Sequence, residues 1–223
     1  MLSGTAQADD AVVSQATRTA KYSAYLAMKA AQGDEQAKET AKGFSALSDA
    51  QKSRFLDLLE DRSLMDKFFE QAEAPAATTG KTLAVLAGGD VVVERESVGG
   101  ADDSSTNTSA ALRASGYRDM WASYAVTDTF LGVKVARVSV RTNYQVKGKD
   151  TTKVYPGSAY HYLYVPGCDF SHSPVKEWIS SPPADNAQSE TTWTASCWGS
   201  SWDKRERVWG DYRGFVGGYL KDE

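Results

Sequence analysis

The chain has 223 residues, enough for one large domain or two small ones around a real core, and 41% of them are hydrophobic, as in an ordinary globular protein. Its 25 basic and 29 acidic residues leave a net charge of −4, which provides no electrostatic footprint for nucleic acid or an acidic membrane surface. No apolar run approaches the roughly 20 residues of a membrane-spanning helix.

Ala6-Gln7-Ala8 ahead of Asp9-Asp10 has the small-x-small form of a cleavage site before an acidic mature start. Residues 1–8 therefore read as the remnant of a secretory signal peptide, with a plain disordered terminus as the alternative. The expected location is secreted or extracellular.

Residues 9–76 contain no tryptophan and are rich in Ala, Gln, Lys and Glu, which favour helix. Asp9–Gln32 reads as one helix, with Tyr22, Tyr25 and Leu26 at the i, i+3, i+4 spacing of a buried stripe. Gly33 stops it and Asp34 caps a second helix carrying Ala37, Ala41 and Phe44. Ser48-Asp49-Ala50-Gln51 has the form of a capping box and opens a third, whose Phe55, Leu56, Leu58 and Leu59 face inward. Ser63 is expected to cap a fourth, with Leu64/Phe68 and Met65/Phe69 as i, i+4 pairs. Together these predict a small helical bundle.

Residues 77–81 end a stretch of Ala, Thr, Pro and Gly that reads as a linker. Gly80-Lys81-Thr82 is no phosphate-binding loop, because Pro75 stands where the first glycine of GxxxxGK[ST] must fall. From Thr82 the periodicity is that of strands. Thr82–Ala87 and Val91–Glu96 flank a hairpin turn at Gly88-Gly89-Asp90. Val98–Ser109 is polar and reads as a mobile loop, with a formal glycosylation sequon at Asn107.

Met120–Leu131 and Val133–Lys147 are two long strands turning at Gly132. A slip in the apolar phase of the second predicts a bulge near Ala136-Arg137. Thr151–Val165 is a third long strand, with Tyr160, Tyr162 and Tyr164 on one face and His161, Leu163 and Val165 on the other. A short helical turn near Pro174–Ile179, a strand at Thr191–Trp198 and a closing strand at Arg205–Val216 complete the pattern. The fold class is α+β: a helical bundle over 9–76, then an antiparallel β-sandwich or open barrel of about seven strands over 82–223.

Cys168 and Cys197 are the only cysteines. In an oxidising compartment they are expected to form one disulfide. His161, Cys168, His172 and Cys197 make a rival four-ligand set, but their spacing matches no common zinc pattern. No G-x-S-x-G elbow and no metal-binding carboxylate spacing is present, so the expectation is no catalytic residue, no metal and no cofactor. The cluster Asp203-Lys204-Arg205-Glu206-Arg207, with Asp211 and Arg213, alternates in sign and predicts cross-strand ion pairs rather than paired catalytic carboxylates.

The tail Thr191–Leu220 holds four of the six tryptophans. Pleat parity puts Trp193 and Cys197 on one face and Trp198 on the other. Trp198, Trp202, Tyr160, Tyr162 and Tyr164 are the candidate ligand-binding residues, since rings on a sheet face can stack on sugars or meet a partner. The alternative is that these aromatics fill the sandwich core.

The Ala-Gln-Ala/Asp-Asp start, the alanine-rich helical lead, VVVERES, the VTDTFLGVKV hairpin and the WDKRERVWGDYRGFVGGYL ending resemble exported proteins of unknown function in Streptomyces and related actinobacteria. The resemblance covers most of the chain without a diagnostic motif. It implies export and a β-rich C-terminal domain and supplies no catalytic residue. The functional expectation is a non-enzymatic extracellular protein that binds a polysaccharide or cell-envelope component through an aromatic sheet face. A membrane-active or toxin-like protein, and a secreted protease inhibitor or protein-interaction module, are the alternatives.

Overall fold

A computed structural model describes residues 5–73, 75–102, 116–197 and 200–222. Four helices come first, α1 (Thr5–Ala31), α2 (Glu35–Ala46), α3 (Asp49–Glu60) and α4 (Arg62–Ala72). Ten strands follow: β1 (Gly80–Leu86), β2 (Val91–Ala101), β3 (Tyr117–Phe130), β4 (Val133–Lys147), β5 (Asp150–Leu163), β6 (Cys168–His172), β7 (Lys176–Ile179), β8 (Ala187–Cys197), β9 (Ser200–Asp211) and β10 (Gly214–Asp222). The chain is α+β. No described helix is long and apolar enough to cross a membrane.

Helix ends follow side-chain chemistry. The Asp34 carboxylate accepts from Ala37 N at 3.0 Å. Ser48 and Gln51 form the reciprocal capping box. At α4 the expected cap moves: Asp61, not Ser63, is the acceptor, taking the Ser63 N–H at 2.9 Å and its hydroxyl at 2.7 Å. Asp61 directly precedes the first turn, where a carboxylate meets the open N–H groups, whereas Ser63 already lies inside the helix. The side chains of Met65 and Phe69, and residues 103–115 with Asn107, lie outside the described residues.

The strands form two antiparallel sheets, one ordered β1-β2-β3-β4-β5 and one β10-β9-β8-β6, with β7 also paired to β8. Three expectations change. Val98–Ala101 is not loop but the end of β2, paired to Met120–Ser123 of β3. Pro174–Ile179 contains no helical turn; Lys176–Ile179 runs as β7 beside Ala187–Glu190. Arg205–Val216 is a hairpin rather than one strand, turning between Asp211 and Gly214. In each case pairing with a neighbouring strand overrides a weak local signal. The predicted bulge is present one residue early. The register steps from Asp128↔Ala136 to Thr129↔Lys134, and the extra residue Val135 is buried with Ala136.

Large residues of the first sheet pack onto glycines of the second. A Cβ on Gly218 would meet the Tyr124 side chain at 2.8 Å, and one on Gly210 would meet the Tyr144 hydroxyl oxygen at 2.4 Å. Tyr144, fully buried, donates its hydroxyl proton to Asp211 O at 2.8 Å. The helices close one end of the first sheet: Phe55 packs edge-on to Phe130, and Thr40 Oγ1 donates to Lys134 O at 3.0 Å. The Tyr22 hydroxyl donates to Tyr164 O at 3.0 Å, and the Tyr164 hydroxyl donates back to the Asp34 carboxylate at 2.8 Å. One hydrophobic cluster runs from Tyr22 through Phe55 and Val138 to Leu220. Between α4 and β1, Ala76 makes a two-bond bridge to Gly218 on β10.

Candidate ligand-binding face

Met120, Ala122, Tyr124 and Val126 of β3 are buried and point toward the second sheet. By alternation Tyr117, Asp119, Trp121 and Ser123 point away from it. Their cross-strand partners Lys147, Gln145, Asn143 and Arg141 share that outer face, and the β4–β5 register adds Tyr155, Tyr160 and Tyr162. Five aromatic rings thus lie on one side of the five-stranded sheet.

Polar groups on this face are tied to one another. The Arg141 guanidinium lies 4.4 Å over the Trp121 ring, and its Nε donates to Asn143 Oδ1 at 2.8 Å. Asn143 Nδ2 in turn donates to Pro156 O at 3.2 Å. The Tyr155 hydroxyl donates to Asp119 Oδ1 at 3.1 Å; burial, and then the Asp119 charge and this hydrogen bond, raise its pKa. Toward β1, Arg137 donates to Thr127 Oγ1 at 2.8 Å and to Glu96 at 3.2 Å. Burial opposes ionisation of Glu96, but hydrogen bonds from Arg137 and Lys81 outweigh it and hold its pKa low. Such a network fixes donors and acceptors before any ligand arrives.

The structure separates the residues singled out from the sequence. Tyr160 is 53% exposed at the open end of a tyrosine ladder, with Tyr162 at 6.2 Å between ring centroids. Tyr162 and Tyr164 are both buried, stacked at 5.3 Å and running inward to Asp34. Trp202 points the other way, from the inner side of the second sheet, and is half-buried against the core near Phe68, Phe170 and Leu220. Trp198 lies outside the described residues. Tyr160 alone of the described four is an open ring; it meets Tyr162 and pairs with Ser139, and Trp121, Arg141 and Asn143 lie farther along the same face, level with Ser158 and Tyr155 of β5. Sequence reasoning missed Trp121 and Arg141 because their partnership depends on the β3–β4 register.

A second group of rings lies on the outer side of the other sheet. Arg207 sits 4.9 Å over Trp178 and 5.6 Å over Tyr219, anchored to Glu190 at 2.5 Å. Trp209 covers Gly217, where a Cβ would stand 2.2 Å from the indole. These rings are engaged with their own arginine and backbone.

Cys168 and Cys197 are directly paired across β6 and β8 and joined by a disulfide, with Cα atoms 4.2 Å apart. The bond removes both thiols from any metal-ligand set. Among the described residues no group of three His, Cys, Asp or Glu side chains is placed to hold a metal ion. The tail charges split by pleat parity: Arg205 and Arg207 face outward to Glu190, whereas Lys204 and Glu206 face inward. Lys204 pairs with Glu73, the residue directly after α4, and with Asp222. Glu206, fully buried, accepts from Trp193 Nε1 at 2.5 Å; burial pushes its pKa up to about 8, with the hydrogen bond opposing.

A cavity of about 360 Å³ opens between α1, α3 and Val165-Pro166, walled by Tyr22, Tyr25, Leu56 and Leu59 with Arg18 and Lys21 on its lining.

No family model and no curated protein matches this chain. Among solved structures, a hypothetical protein from Listeria monocytogenes EGD-e aligns with 65% of this chain and 100% of its own, at 12% identity and a TM-score of 0.29. A likeness of that size carries no conclusion about function.

Proposed function

We propose that this is an exported, non-enzymatic binding protein that recognises a polysaccharide or other cell-envelope component on the outer face of its five-stranded sheet. Tyr160 is the open ring of the site, and Trp121, Arg141 and Asn143 extend it along the same face toward Tyr155. The observation that carries this reading is an open ring on the same sheet face as donors and acceptors already fixed by mutual hydrogen bonds. An exposed ring offers an apolar face for stacking, and a rigid polar surround costs little ordering entropy on binding. Export is supported by the resemblance to exported actinobacterial proteins and by the disulfide.

The test is co-sedimentation of the full chain with insoluble cell walls and polysaccharides. Tyr160→Ala should weaken saturable binding about tenfold, equivalent to roughly 1.4 kcal/mol, and leave the unfolding temperature within a degree or two. Wild-type protein that stays in the supernatant with every polymer would sink the proposal.

One observation favours a protein partner instead. Leu83 and Val85 of β1 are 58% and 62% exposed on the same outer face, at the edge of the sheet. An apolar edge of this kind suits pairing with another chain. Loss of a captured partner on Leu83→Lys, with polysaccharide binding absent, would select that reading.

A further inference from the structure

The chain has two histidines, 11 positions apart in sequence and on different sheets. β5 is the last strand of the first sheet and β6 an edge of the second, and the chain passes from one to the other through Tyr164–Gly167. His161 is paired with Val138 on β4, and His172 with Trp193 on β8; both Val138 and Trp193 are buried inward residues. The two imidazoles therefore point into the same corner between the sheets, with ring centroids 5.9 Å apart. Trp193 completes a triangle, 5.4 Å from His161 and 5.0 Å from His172.

We propose that His161 and His172 together bind one borderline divalent transition-metal ion, Cu²⁺ or Zn²⁺, with water completing its coordination. A metal–nitrogen bond of about 2.0–2.1 Å places an imidazole centroid roughly 3 Å from the metal. Two rings 5.9 Å apart can thus reach a single ion between them. His172 Nδ1 lies 2.8 Å from Ser173 O, and the carbonyl fixes the proton on that nitrogen, leaving Nε2 with its lone pair for a metal. A backbone carbonyl on the other ring nitrogen is the usual support of a metal-binding histidine. Imidazole suits Cu²⁺ and Zn²⁺, and Cu²⁺ is the tighter-bound of the two in the general affinity order. His172 is exposed, so the corner is open to ions from solvent. The disulfide leaves no free cysteine to compete among the described residues.

The experiment is a Cu²⁺ titration of the full chain followed by tryptophan fluorescence, because Trp193 stands against both rings and a bound Cu²⁺ quenches it. A parallel Zn²⁺ titration by calorimetry gives the stoichiometry. The expected result is saturable quenching with one ion per chain. His172→Asn and His161→Asn should each weaken it at least tenfold, and the double variant, with neither ligand, should show no saturable quenching. His172 is exposed, so its variant should keep the wild-type unfolding midpoint and isolate the ligand effect. Quenching unchanged in His172→Asn would overturn the proposal. So would saturable quenching that persists in the double variant, a stoichiometry of two ions per chain, or no saturable binding of either ion below about 1 mM.

Discussion

Glu206 lies between two arginines in sequence, yet it faces the interior with no exposed surface. In an unfolded chain a glutamate titrates near 4.3, and in the fold burial pushes this one to about 8. Asp128, also buried, is pushed up to about 7, with a backbone hydrogen bond from Thr129 opposing. Between the unfolded and folded values the native state holds protons that the unfolded chain has released. Stability therefore falls as pH rises from about 4 to about 8, by a few kcal/mol. Glu96 and Asp222, whose pKa values are lowered, act only at the acid end of that range, where falling pH removes their contribution. The unfolding midpoint should drop by several degrees between pH 5 and pH 8.5. Glu206→Gln, which keeps an acceptor for Trp193, should flatten that slope and exceed wild type in stability at pH 8.5. A midpoint that rises over this interval would contradict the account. The sequence shows the alternation of sign in Asp203–Arg207 and hence the cross-strand pairs to Glu190. It does not show which parity faces inward, because Trp193, the partner that makes a buried carboxyl tolerable, is 13 positions away.

At the scale of elements, the disulfide pins a five-residue edge strand, β6, to the end of β8. Replacing Cys168 and Cys197 by Ala should cost about 3–4 kcal/mol, the chain-entropy value for a loop of this length, measured as a lower urea midpoint. Equal midpoints for the variant and the oxidised protein would remove the disulfide from the stability argument. This pairing was legible, since the only two cysteines lie in one β-rich half. The helices were legible too, because their caps are local chemistry. β2 was not legible beyond Glu96. Its Gly99-Gly100 reads as a break, but Gly99 is a strand residue beneath the second sheet, where a Cβ would stand 2.6 Å from Phe215 N. A glycine required by close approach between sheets looks, in sequence, like a glycine required by a turn. β7 was hidden for a related reason: four residues between proline-containing segments are a strand only because β8 offers them an edge.

For the whole molecule, the change in composition near residue 77 marks a change of secondary structure, not a boundary in packing. Phe130, Val133 and Val165 are buried in the same cluster as Tyr22, Phe44 and Phe55. Removal of residues 1–77 should therefore leave a β part that aggregates or unfolds at least 10 °C lower, since several large apolar side chains lose their cover. A monodisperse fragment with the full chain's unfolding temperature would show instead that the strands fold alone. The candidate site was half legible for the same reason. Alternation found the tyrosine ladder, but only the helices reveal that Tyr164 belongs to the interior, its hydroxyl on Asp34.

The bridge between Ala76 and Gly218 bears on what this protein does at high concentration. β10 is the last strand of its sheet, and an outer strand with free amides and carbonyls is a template for the same strand of another molecule. Ala76 occupies both backbone groups of Gly218, with bonds of 2.9 and 3.1 Å, and Pro75, which has no N–H to offer, lies directly before it. An incoming strand would first have to peel away the segment that joins α4 to β1. The connection between helices and sheets thus doubles as a guard against growth of the second sheet into fibres.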